Sequence, residues 1–122
     1  MLAYAIITAL LGIIVAIAHS VLSERVLLAP LYRDHGNGFL ADRPKRDIIR
    51  AVFHIPSIAW AALALAVLVN RLQDGGDLLP LTAAFIFALS GIGNLAALRR
   101  PHVGGLILLA MAAATLADIR FN

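Results

Sequence analysis

The sequence predicts an all-α fold, an integral membrane antiparallel four-helix bundle, on three observations. Four long runs without a charged side chain (2–23, 51–70, 78–98 and 103–117) fill most of the 122 residues. The first three are 22, 20 and 21 residues long, and about 20 mainly apolar residues carry a helix across a hydrocarbon core ~30 Å thick. Hydrophobic residues make up 61% of the chain, against the ~45–50% usual in soluble domains. Unpaired backbone amides are so costly in lipid that runs of this length are helical.

The first span (2–23) starts apolar at Leu2 with no basic segment before it. Ala16-Ile17-Ala18 has the small-x-small form of a signal-peptide cleavage site, but the charge asymmetry of a signal peptide is missing, so the run is expected to be a retained helix. Helical spacing of apolar residues continues through Val21–Ala29, which predicts that this helix ends near Pro30. A connection over about 24–50 follows, with Arg33-Asp34-His35-Gly36-Asn37-Gly38 as loop and Phe39-Leu40 returning to the interface. Asp42 is expected to cap a helix starting near Pro44 and running directly into the second span, 51–70. The third span is 78–98. The fourth, 15 residues long or 17 with Pro101 and His102, is marginal in length and is placed at 101–117. Four spans and their connections use all of 1–122, so one transmembrane domain is expected.

Charge gives the orientation. Arg25, Arg33, Arg43, Lys45, Arg46 and Arg50 lie between the first two spans, and Arg99 and Arg100 between the last two, whereas Arg71 and Arg120 stand alone on the other side. The positive-inside rule then places the 24–50 loop in the cytoplasm and both termini in the periplasm of a bacterial inner membrane. The same pattern assigns the basic residues to topology and headgroups rather than to nucleic acid. With no cysteine in the chain, thiolate catalysis and thiolate metal sites are excluded.

The few polar residues within the spans are unevenly placed. Asp47, Arg50, His54 and Ser57 recur every three or four residues, so they form one stripe entering the second span from the loop side. Pro56 removes a donor from that helix and frees the Val52 carbonyl. The first span reaches the same side with His19, Ser20, Ser23 and Glu24, the third with Ser90 and Asn94, and the fourth begins at His102. A polar cluster of His19, Glu24, His54, Ser57, Trp60, Asn94 and His102 is therefore expected in one leaflet. Ionisable groups at membrane depth raise a functional hypothesis by default. Imidazoles from facing helices, His54 with His19 or His102, could ligate a transition metal or a haem iron, and they could also relay protons. No metal, haem or nucleophile motif accompanies them, so a hydrogen-bonded region without a bound cofactor is favoured.

Small residues line Ala84, Ala88 and Gly91 in the third span and Gly104, Gly105, Ala110 and Ala112–Ala114 in the fourth. They serve close helix packing, either inside the bundle or against another subunit.

Two segments, Ala18–Leu31 beginning Ala-His-Ser-Val-Leu-Ser-Glu, and Arg50–Trp60, reading Arg-Ala-Val-Phe-His-Ile-Pro-Ser-Ile-Ala-Trp, resemble small uncharacterised bacterial inner-membrane proteins of about four spans. In that pattern a His-Ser with a downstream Glu closes the first span and an aromatic-His-x-x-Ser-x-x-Trp motif opens the second. The resemblance implies no activity, but it draws attention to His19, Glu24, His54, Ser57 and Trp60. The sequence thus leads to the expectation of a non-enzymatic accessory or assembly subunit, embedded in lipid and joined to another membrane protein or to copies of itself. The alternative is a histidine-lined haem- or metal-binding protein.

Overall fold

The computed structural model describes residues 2–34 and 38–121; His35, Gly36 and Asn37 of the expected loop lie outside them. Helix α1 (Leu2–Leu22) passes through a π-helical turn (Ser23–Leu28) into α2 (Ala29–Asp34). A 3₁₀ turn (Phe39–Ala41) precedes α3 (Arg43–Leu72), followed by α4 (Leu78–Leu98) and α5 (Val103–Phe121). The four helices long and apolar enough to cross a membrane are the continuous Leu2–Arg33 segment, α3, α4 and α5. The molecule is an all-α four-helix bundle.

Two helix ends and one cap differ from expectation, each for a local reason. The first helix does not stop at Pro30. Its preceding turn is widened, with the Ala29 N–H bonded to the Glu24 carbonyl five residues back, so the ladder has already shifted register before it reaches the proline that cannot donate. Asp42 does occupy the cap position of α3 with a proline behind it, but its side chain accepts no capping bond; it pairs with Lys45 instead, at 3.5 Å. The fourth helix runs to Phe121 rather than ending at Ala117, because the charge that would have ended it, Asp118, is buried and paired with Arg71.

Neighbouring helices run antiparallel. Between α1 and α3, Glu24 meets Arg50, Ser20 meets His54 and His19 meets Ser57, and a Cβ at Gly12 would meet Ala64, numbers rising on one helix as they fall on the other. Against α5, α1 stacks Tyr4 on Phe121 with centroids 6.1 Å apart and places Thr8 Oγ1 3.2 Å from Thr115 Oγ1 in the buried interior. Helices α4 and α5 close through glycines: a Cβ on Gly91 would stand 2.9 Å from the Gly105 carbonyl oxygen, and one on Gly105 2.9 Å from the Leu95 side chain. The small face of α4 is thus spent inside the bundle, where Ala84 and Gly91 are buried.

The centre is apolar and built of Val15, Ala64, Val67, Phe87, Leu108 and Met111. Leu10, Ile17, Ile58, Phe85, Leu89 and Ile92 point outward, each more than half exposed. In water such a surface would aggregate; on a membrane protein it is the lipid-facing coat.

At about 1.5 Å per residue, α3 with its 30 residues is ~45 Å long, more than a hydrocarbon core requires. Its first two turns, carrying Arg43, Lys45, Arg46, Asp47 and Arg50, therefore project beyond the apolar zone on the loop side. There Tyr32 donates its hydroxyl to the Arg46 carbonyl at 2.7 Å, tying α2 to α3.

Candidate functional site

Two helices build the polar seam at the loop-side end. Helix α3 presents Arg50, His54 and Ser57 on one face, as their spacing requires, and the end of α1 presents His19 and Ser20, with Glu24 of the π-helical turn, across from them. Arg50 Nε lies 2.7 Å from Glu24 Oε1. The same carboxylate oxygen is 3.0 Å from His54 Nε2, so Nε2 carries the proton and the carboxylate accepts. The other nitrogen of His54, Nδ1, is 3.0 Å from Ser20 Oγ. One turn deeper, His19 Nδ1 is 2.9 Å from Ser57 Oγ, and Ser57 is buried. The π-helical turn begins at Ser23, so Glu24 sits where the helix is widest and reaches α3.

Behind this seam, His19 meets the edge of Trp60 in a T-shaped contact, centroids 5.1 Å apart and planes at 80°. The Trp60 indole N–H is in turn fixed by Ser90 Oγ of α4 at 3.2 Å. His19 and Trp60 also line a cavity of about 550 Å³ between the helices, together with Asn94, Arg100 and His102. Most of its wall is apolar, with Val15, Leu22, Val26, Phe53, Ile107 and Leu108 among the lining residues. His102 precedes α5, and its Nδ1 accepts the Gly104 backbone N–H at 3.2 Å. That bond fixes the tautomer of a neutral ring: the lone pair is on Nδ1 and the proton on Nε2.

The expected cluster therefore divides in two. His54 and Glu24 belong to the α1–α3 seam. Asn94 and His102 belong to the cavity wall, while His19 and Trp60 face both, and Ser57 joins the seam through His19. Asp47, placed by spacing on the same face of α3, turns to Arg43 at 3.9 Å instead. As ligands the histidines are poorly disposed. Both nitrogens of His54 are engaged, and His102 would have to give up its bond to Gly104 or lose the Nε2 proton. Among the described residues no group of three or more His, Asp or Glu is arranged to hold a metal ion. The arrangement can hold helices in register and can move a proton between Ser20, His54 and Glu24.

A second polar site at the opposite end escaped the sequence reading. Arg71, whose side chain is 5% exposed, pairs with Asp118, which is fully buried, and with Asp77 at 2.9 Å. Its third nitrogen, Nη1, donates to the Gly75 carbonyl at 3.4 Å. The available signal was a lone arginine ending one span and a lone carboxylate ending another on the same side of the membrane. The Thr8–Thr115 bond had no such signal, since threonine is common in apolar helices. No known family, curated protein or solved structure matches this chain.

Proposed function

We propose that the chain is a non-enzymatic accessory or assembly subunit of a larger membrane complex in a bacterial inner membrane, with the 24–50 loop cytoplasmic and both termini periplasmic. The observation that carries this reading is the closure of the polar seam. Glu24, Arg50, His54, Ser20, His19 and Ser57 satisfy one another, as groups do that join helices rather than act on a substrate. The eight basic residues flanking the loop-side ends support the orientation. The outer face of α4 supports a partner: Gly93 has nothing within 4 Å of a would-be Cβ, and Ala96 is exposed beside it, so another helix can approach closely there.

Because the chain has no native cysteine, Gly93→Cys introduces a unique thiol. In native membranes a thiol crosslinker is expected to join this position to a second subunit in a discrete adduct, while Leu10→Cys on the lipid-facing side of α1 gives none. A monodisperse monomer in mild extracts, with equal and diffuse crosslinking from both positions, overturns the reading.

A further inference from the structure

The seam explains itself, but the cavity beside it does not. Its volume of about 550 Å³ falls within the ~300–1,000 Å³ of sites that take small molecules. Its walls are graded along the membrane normal. Arg100 and His102, in the connection between α4 and α5, stand at the loop-side rim, and Val15 and Leu108, both almost fully buried, lie at the deep end. Asn94 lies between, about 6 Å below the end of α4. Its Oδ1 is buried and hydrogen-bonds no protein group among the described residues. The cavity opens sideways, since its lining residues Val26 and Leu27 on the first helix and Leu98 on α4 are also exposed to the surroundings of the bundle.

We propose that this cavity holds one acyl chain of an anionic phospholipid drawn from the loop-side leaflet, its phosphate at Arg100 and the His102 Nε2–H. Charge complementarity favours that occupant: a guanidinium and an imidazole N–H fixed as a donor by the Gly104 bond both line the cavity from the α4–α5 connection, and among the described residues no carboxylate lines it. A guanidinium matches phosphate oxygens in geometry as well as charge. The direction of the gradient agrees, because a lipid of that leaflet also carries its anion outward and its chain toward the bilayer centre. Asn94 then meets the polar glycerol region, where its amide finds partners. The proposal concerns the chain alone and stands or falls independently of any partner subunit.

Trp60 is the sole tryptophan and lines the cavity, so its fluorescence reports occupancy. The full chain, purified in a mild detergent, is titrated with short-chain phosphatidylglycerol, with phosphatidylcholine of the same chain length, and with inorganic phosphate. Phosphatidylglycerol is expected to give a saturable change in Trp60 emission, at least tenfold weaker in half-saturation for Arg100→Gln and lost in Ala97→Phe, which fills the cavity from its exposed edge. Arg100 is exposed, so its variant reads the rim contact even where Ala97→Phe fails to fold by circular dichroism. No saturable change, an equal response to phosphatidylcholine, the same response to inorganic phosphate alone, or an unaltered Arg100→Gln overturns the proposal.

Discussion

Single side chains in this bundle differ widely in what they hold. Arg71 and Asp118 form a buried pair, and removing one partner of such a pair leaves the other charge stranded, a loss of about 3–5 kcal/mol. Asp118→Ala is therefore expected to lower the unfolding free energy in detergent by that order, softened by the exposed Asp77 that still faces Arg71. The double variant Arg71→Leu with Asp118→Leu should recover most of the loss. Thr8→Val, by contrast, removes one interhelical bond, and Thr115 keeps its bond to the Met111 carbonyl at 2.8 Å. Its cost should stay near the ~0.6 kcal/mol average for such bonds in membranes. His54 lies between these cases. His54→Gln retains one reach toward Glu24 or Ser20 but not both, and His54→Ala loses both, so a chemical-unfolding series should rank the parent above Gln above Ala. Equal stability of all three would show that the seam does not hold the helices.

At the scale of helices, the glycines separate inner from outer faces. A side chain at Gly105 would press on Leu95 and the Gly91 carbonyl, whereas one at Gly93 meets nothing. Gly105→Leu is expected to force α4 from α5 and cost about 1–3 kcal/mol or more through overpacking, with a matching fall in thermal midpoint. Gly93→Leu should leave the isolated chain unchanged and weaken only its association with a partner. Hydrophobic runs made the positions of all four spanning helices legible in the sequence, since length and absence of charge suffice for that. Their ends were not legible at Pro30 or Asp118, because in both places tertiary or register changes cancel a local stop signal. Within the site, the face shared by Arg50, His54 and Ser57 followed from spacing. Which residue of α1 each would meet depends on the rotation of one helix about the other, and no local pattern encodes that angle. That His102 lines the cavity while His54 lies in the seam was hidden for the same reason.

For the molecule as a whole, the distribution of charge between its two ends is the feature that a single experiment can check. Phe39 is exposed at the loop-side end, so Phe39→Cys in intact cells is expected to be shielded from an impermeant thiol reagent and to react once the membrane is opened. Labelling without opening reverses the proposed orientation.

Helices α1 and α3 form one closely packed hairpin and α4 with α5 another, with little between α3 and α4 beyond the Trp60–Ser90 bond. The Arg71–Asp118 pair spans both, joining positions 47 apart. During synthesis Arg71 emerges long before its buried partner, so for most of that interval the first hairpin carries a cation answered by Asp77 alone. Arrival of Asp118 neutralises it and seats α5 against the rest. A chain stopped after Ala117 lacks that partner and is expected to be degraded faster in cells than one stopped after Phe121.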